Sequence, residues 1–383
     1  MKFSARSGIA SFGVVAALLV SASFANAQEG KLSFSGFADL RYSNYTIEKD
    51  GPTVSSANAE SGFGIEDGAF YVGYAKNNWS LFLDAPFRRA KASDDSDLAG
   101  GEASNSNKIL FGGDKAQVYA KYQIMEGLHF QVGQWDTIFG IEAKDSKDRL
   151  FGKTSLVFDK MVPVTHTGAL IGWAGHGFHA KGMAANANGK GTLGSDTPAA
   201  ANDTSGNNKT EYGAAFGWAN EMFRAQLGYL SRSSNKVNSA PLEHDSRTLT
   251  DVTFGVTWEA LSVDLEYAMI DDPSKNTLTT ADAPSAEATD SEKDGTGLLA
   301  LVGYKFTDEF SLGVRYEMLT NDPGLSASWK DATAYGVVIH HKLDENFQAR
   351  AEYNMYSYDN ISTAANAKDW DESRFNLALL ASF

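Results

Sequence analysis

The chain closes on Asp371-Glu372-Ser373-Arg374-Phe375-Asn376-Leu377-Ala378-Leu379-Leu380-Ala381-Ser382-Phe383, and the reading of this stretch decides the fold. Counting back by twos, Phe383, Ala381, Leu379, Leu377 and Phe375 share one face, while Ser382, Leu380, Ala378, Asn376 and Arg374 share the other. Successive side chains of a strand point to opposite sides, so this is a strand with one apolar face. The same period of two begins after residue 30. There Leu32, Phe34, Ala38, Leu40 and Tyr42 alternate with Ser33, Ser35, Asp39, Arg41 and Ser43.

Between these ends the alternation returns in pairs joined by tight polar turns. Asn77-Asn78 separates residues 70–76 from 79–87, and Glu126-Gly127 separates 116–124 from 128–134. Gly175-His176-Gly177 separates 167–174 from 178–184, and Asn220-Glu221 separates 212–218 from 223–229. Glu259-Ala260, Thr307-Asp308-Glu309 and Asp344-Glu345-Asn346 punctuate the last third. Short polar links between alternating runs are hairpin signals. Between the pairs lie longer segments rich in Ser, Asn, Asp, Gly, Ala and Thr, at about 47–64, 91–112, 140–165, 187–209, 232–246, 271–294, 320–331 and 359–371.

Short turns alternating with long segments make about sixteen strands, an even count with both ends on the short-turn side. The expected fold is all-β: a transmembrane antiparallel β-barrel with short periplasmic turns and long external loops. A soluble β-sandwich would alternate too, but its connections would not sort into alternating short and long classes. Aromatic residues support the register. Trp79, Phe178, Trp218, Phe223, Trp258, Phe306, Phe310, Phe347 and Phe383 crowd the short turns, with Tyr229, Tyr316 and Tyr353 further along the same face. Two aromatic rims, one at each bilayer interface, are the natural reading.

Composition bounds the rest. The 383 residues carry 33 Lys and Arg against 48 Asp and Glu, a formal charge of −15 that argues against a nucleic-acid partner. With no cysteine there is neither a disulfide nor thiolate chemistry. Residues 1–27 read as a cleaved secretory leader. Lys2 and Arg6 make a basic start, residues 9–20 are largely apolar, and Ala25-Asn26-Ala27 has the small-x-small cleavage pattern. The apolar run is short for an uncleaved anchor. Residues 28–383 are then a single barrel domain, and they contain no run approaching the ~20 apolar residues of a membrane helix.

If the apolar face meets lipid, the other face lines the lumen. Arg41, Arg88, Lys121, Lys181, Arg224, Arg315, Arg350 and Arg374 fall there, beside Asp39, Asp84, Glu211, Asp264, Glu266, Glu317 and Glu352. Charges at wall positions need water or partners, so they either line a wet bore or form paired struts that seal a narrow one. About sixteen strands leave an aqueous channel unless something plugs it. Residues 140–165 are the candidate. This segment keeps Ile141, Leu150, Phe151, Leu156, Val157, Phe158, Met161 and Val162 among Glu142, Lys144, Asp145, Lys147, Asp148, Arg149, Lys153, Asp159 and Lys160. Folded inward, it would bury the apolar set and present charges to the bore as a constriction. The competing reading is an external subdomain with a short helix on the rim.

Gly133-Gln134-Trp135-Asp136-Thr137-Ile138-Phe139-Gly140-Ile141-Glu142, then Ser155-Leu156-Val157-Phe158 and Pro163-Val164-Thr165-His166-Thr167-Gly168, resemble the central signature of the β-barrel porin-2 (OmpL-like) family. The closing strand with its terminal aromatic also resembles that of bacterial outer-membrane barrels, where this ending is read by the insertion machinery. That resemblance makes Phe383 the expected insertion signal. The family resemblance implies a Gram-negative outer-membrane porin passing small hydrophilic solutes or ions by diffusion, without catalysis or cofactor. Outer-membrane lipids, lipopolysaccharide, the barrel-assembly machinery and a homotrimer are the implied partners. Residues 148–154 depart from the family's aromatic-Ser-Arg pattern, which leaves Arg149 and Lys153 both open as the basic residue facing the pore. The rival from another class is a structural or adhesive surface barrel without an open pore.

Other motifs carry less. Gly152-Lys153-Thr154 mimics the end of a phosphate-binding loop, but Lys147 stands where the leading glycine belongs. His340 and His341 are strand neighbours on opposite faces and cannot share a metal ion. No Gly-x-Ser-x-Gly elbow or His-Glu-x-x-His helix is present. His166 borders the special segment and is expected to serve structural hydrogen bonding. The acidic run Asp94-Asp95-Ser96-Asp97 reads as a solvated loop tip rather than a divalent-ion site.

Overall fold

The computed structural model describes residues 30–49, 60–89, 109–112, 115–186, 210–233, 246–271, 295–321, 329–360 and 369–383. The leader at 1–27 and the acidic run at 94–97 lie outside the described residues.

The strands in chain order are β1 (Lys31–Lys49), β2 (Glu60–Lys76), β3 (Trp79–Arg89), β4 (Ile109–Phe111), β5 (Gln117–Met125) and β6 (Leu128–Asp136). A 3-10 turn (Ser146–Asp148) and a short helix α1 (Leu156–Met161) follow. Then come β7 (Thr165–Gly175), β8 (Phe178–Asn186), β9 (Thr210–Ala219), β10 (Phe223–Ser233), β11 (Ser246–Trp258) and β12 (Leu261–Asp271). The last five are β13 (Gly295–Lys305), β14 (Phe310–Asn321), β15 (Trp329–Lys342), β16 (Phe347–Asn360) and β17 (Trp370–Ser382).

Neighbours in the chain pair antiparallel, and β1 pairs with both β2 and β17, so the sheet closes on itself. β4 was not foreseen. It pairs with the far end of β3 through Phe87↔Phe111, whereas β5 pairs with the near part through Asp84↔Gln117. The two short strands share one place in the wall, which leaves sixteen positions around the barrel.

Closure rests on the stretch quoted first. β17 runs along β1 from Phe37↔Ser382 to Lys49↔Trp370. At its foot the Phe383 and Gly36 backbones exchange two hydrogen bonds, each of 3.0 Å, and the Phe383 ring lies 6.1 Å from that of Phe70. The seven short turns fall where the polar punctuation placed them. In the β7–β8 turn, His176 (φ 53°) and Gly177 (φ 82°) both adopt the left-handed region, which gives the tight reversal whose twist matches a hairpin.

The outer surface is apolar. Phe34, Leu81, Val118, Phe216, Leu227, Phe254, Val314 and Leu377 all stand exposed on it. At the short-turn end Trp79, Phe178, Phe223, Trp258, Phe306, Phe310, Phe347 and Phe383 form an exposed aromatic ring. A continuous apolar belt of this extent is intelligible only as a lipid-facing surface. No helix among the described residues is long and apolar enough to cross a membrane, so the crossing elements are strands. The principal buried cluster lies inside the barrel, where residues 138–162 meet inward side chains of β7–β9, β10–β16 and their neighbours.

Candidate functional site

Residues 137–164 leave β6 at Asp136 and return to β7 at Thr165, and the Thr137 amide donates to the Val164 carbonyl at 2.9 Å to tie the two feet together. Between them the segment turns into the lumen because it has an apolar surface to bury. Phe151, Val157, Met161 and Val162 have no measurable exposure, and Phe139 and Phe158 are buried too. Their partners are inward wall residues such as Leu230, Leu249, Ile270, Leu299, Leu319 and Val338. At roughly 1.5–3 kcal/mol for each large apolar side chain, this burial is a sufficient reason for the loop to lie inside. The wall makes room by lacking side chains. A Cβ on Gly336 would stand 2.8 Å from the Phe151 ring, and one on Gly228 would stand 2.5 Å from that of Phe139. Helix α1 is capped by Ser155, whose Oγ accepts from the Phe158 amide at 3.0 Å, and it packs on β12, β13 and β14.

Polar pins then fix the loop around much of the circumference. On β10, Gln226 Nε2 donates to the Ile138 carbonyl at 3.0 Å, and on β12 Glu266 accepts from the Ile141 amide at 2.9 Å. On β2 and β3, Tyr71 donates to Asp145 at 2.7 Å, Asp67 accepts from the Ser146 amide at 2.8 Å, and Asp84 pairs with Lys144. On β15 and β16, His340 meets the Leu150 carbonyl at 2.7 Å, Arg350 donates to the Ser146 carbonyl at 3.0 Å, and Glu352 accepts from the Gly152 amide at 2.7 Å. On β14, Arg315 donates to the Lys153 carbonyl at 2.8 Å and stacks on the Phe151 ring at 4.5 Å, and Glu317 accepts from the Leu156 amide. Gly152 is a close-approach position, since a Cβ there would lie 2.5 Å from Arg41 Nη2 and 2.7 Å from Arg350 Nη1.

The wall charges read from the alternation fall on the lumen side, but they divide by access. Asp39, Arg41, Arg315, Glu317, Arg350 and Glu352 are covered by the loop, with exposures between 0% and 5%. Arg41 pairs with Asp39 at 2.5 Å and Arg315 with Glu317 at 2.9 Å. These are struts rather than solvated groups. Arg88 and Lys121 are partly exposed, Arg224 pairs with Asp264, and Arg374 pairs with Glu372 with a third of its side chain exposed.

The six candidate loop charges divide in the same way. Glu142 accepts from the Ser155 amide at 2.8 Å, and Arg149 binds the Ala143, Lys144, Phe151 and Gly152 carbonyls, so both shape the loop itself. Burial alone would raise the Asp145 carboxyl, but the Lys144 ammonium at 2.7 Å and the Tyr71 hydroxyl hold it below the ordinary carboxylate range. Asp148 lies 2.5 Å from Lys147, and Asp159 lies 3.8 Å from Lys153; all four keep about a quarter to a third of their side chains exposed. Of the two basic residues left open, Arg149 is turned into the loop and Lys153 is the accessible one.

Sequence reasoning missed Asp67 and Tyr71. Both lie on the lumen face of β2, and the alternation signal would have found them. His166 is buried, with Nδ1 2.6 Å from Glu211 Oε1, while Arg232 donates to the other carboxylate oxygen at 2.9 Å. His340 faces the lumen and His341 the outside, on opposite sides of β15. Among the described residues no group of three or more His, Cys, Asp or Glu side chains is arranged to hold a metal ion.

A closed sixteen-position barrel with a lipid-facing belt and a loop threaded into its lumen defines the class of bacterial outer-membrane β-barrel proteins. The chain belongs to the family described as "Putative beta-barrel porin-2, OmpL-like", whose model matches residues 31–383. Solved structures agree on the fold. An anion-selective porin from Comamonas acidovorans is similar at 12% identity, with 93% of this chain and 100% of that one covered and a TM-score of 0.60. The outer-membrane channel DcaP of Acinetobacter baumannii is similar at 11% identity, with 94% and 99% covered and a TM-score of 0.60. OmpT of Vibrio cholerae, in its trimer form, is similar at 12% identity, with 92% and 99% covered and a TM-score of 0.55. Among curated proteins the chain has no match.

Proposed function

We propose that the protein is a porin through which small hydrophilic solutes or ions diffuse passively, with residues 137–164 as the constriction. One observation carries this: the long connection that falls wholly within the described residues lies inside the barrel, pinned to wall strands β2, β3, β10, β12 and β14–β16. A solute passing the waist must pass beside it. Lys147, Asp148, Lys153, Asp159 and Lys160 are the loop charges that keep contact with solvent, and Arg88, Lys121, Lys181, Arg224 and Arg374 are basic wall residues that keep partial exposure. The channel is non-catalytic. Residues 1–27 act as a cleaved export signal, and three copies assemble in the outer membrane, as in the trimer form of OmpT. Outer-membrane lipids, lipopolysaccharide and, through β17, the barrel-assembly machinery are the partners this reading implies.

Liposome swelling tests it. Vesicles carrying the folded protein should swell in small sugars and progressively less as the sugar grows. Vesicles that stay inert to every sugar and to salt would favour a closed surface barrel. The covered struts Asp39–Arg41 and Arg315–Glu317 are the observation on that side, because they leave no water at those wall positions.

A further inference from the structure

Lys121 on β5, His129 on β6 and Lys181 on β8 occupy the lumen face toward the short-turn end. Lys121 shares a face with Tyr119, which packs on the interior cluster, and alternates with Val118, which is 60% exposed outside. His129 pairs with Gly172 and Gly172 with Lys181, so a residue without a side chain separates the two basic ones. A Cβ on Gly172 would lie 2.5 Å from His129 Cε1, which means the imidazole lies across that glycine toward Lys181. The three groups are partly buried, Lys121 pairs with Gln131, two residues along the same face of β6 from His129, and neither lysine forms an ion pair with a carboxylate among the described residues.

Elsewhere in the lumen the rule is the opposite. Arg41, Lys144, Arg224, Arg232, Arg315 and Arg374 each sit against a carboxylate. In a chain with a formal charge of −15, carboxylates are abundant, so a partly buried patch of like charge without one stands apart. Two ammonium groups held in a half-dry wall repel each other, and an anion between them removes that cost while accepting their hydrogen bonds. The imidazole adds an N–H donor in its neutral form, and both ring nitrogens donate once it is protonated.

We propose that Lys121, His129 and Lys181 form a binding site for small multivalent oxyanions, of which inorganic phosphate is the simplest, on the short-turn side of the inserted loop. Its consequence for transport, a local preference for anions against the sign of the whole chain, rests on the porin reading; the binding itself does not.

The test uses the full chain folded in detergent and inorganic phosphate as the probe, with phosphorus NMR line width as the readout. The unsubstituted protein should broaden the phosphate line saturably, and added sodium chloride should reverse it. In the Lys121→Gln/Lys181→Gln double variant the affinity should fall by about tenfold or more, while Lys121→Arg retains it and Lys342→Gln, at an exposed position of β15 outside the patch, leaves it unchanged. Heat-modifiable electrophoretic mobility verifies that each variant is folded. Absence of broadening in the unsubstituted protein, or equal broadening in the double variant, would overturn the site. Reversal potentials in a potassium chloride gradient separate this outcome from the fate of the porin reading. Phosphate binding with a silent bilayer overturns the porin reading and supports the site, and a conducting barrel that ignores phosphate overturns the site alone.

Discussion

Two sectors of the same wall carry charge at the same strand positions and meet opposite surroundings. From β14 through β16 and β1, inward charges such as Arg315, Glu317, Glu352 and Arg41 are roofed by residues 146–157 and locked into pairs and backbone contacts. From β5 to β8, toward the short turns, Lys121 and Lys181 keep partial exposure and have no carboxylate partner among the described residues. Strand parity decides only that a side chain points inward; whether it becomes a covered strut or stays accessible is decided by the loop.

The largest expected effect lies in the covered sector. Arg315→Leu strands Glu317 as a buried unpaired carboxylate and frees the Lys153 carbonyl, and should cost about 3–5 kcal/mol in urea unfolding of the barrel. If instead the loss is under about 1 kcal/mol, the sector is wetter than its burial indicates. Next comes Gly152→Val, which drives a side chain into the Arg41 and Arg350 guanidinium groups. It should cost about 1–3 kcal/mol and expose residues 137–164 to protease without opening the barrel wall.

A smaller, pH-dependent effect belongs to Asp145. Its carboxyl lies below the ordinary range in the folded protein, so the stability it contributes is complete above the unfolded value of about 3.9 and is lost as pH falls through the lower folded value. Hydrogen exchange of residues 144–149 should therefore stay slow from pH 7 to about 4.5 and quicken below about 3.5, and Asp145→Asn should abolish that step. In the open sector the effect should be smallest. Lys121→Gln should change stability by no more than about 0.5 kcal/mol in the same unfolding assay, since no ion pair is lost. A loss matching that of Arg315→Leu would erase the distinction between the sectors.

The barrel was legible because it depends on a local signal. Period-two alternation at Leu377, Leu379 and Ala381, together with turn residues such as Asn77 and Gly177, carries strand, face and hairpin within a few positions. The apolar content of residues 140–165 was legible too, as more apolar side chains than a solvated loop can use. What it would touch was not. Leu150 meets His340 and Gly152 meets Glu352 across 190 and 200 residues of chain, and no spacing rule spans such distances. For the same reason the burial of Arg41, Arg315 and Arg350 could not be separated from the access left to Lys121. β4 was hidden because three residues, Ile109–Phe111, are too few to establish a period.

On the porin reading, residues 137–164 set the width and charge of the bore. Single-channel recording of a variant in which residues 150–159 are replaced by a short Gly-Ser link tests it most directly, with folding verified by heat-modifiable mobility. Conductance should rise several-fold above that of the unsubstituted protein, with a changed ion preference, because the segment covering β13–β16 is gone. Equal conductance and an unchanged reversal potential would contradict the account.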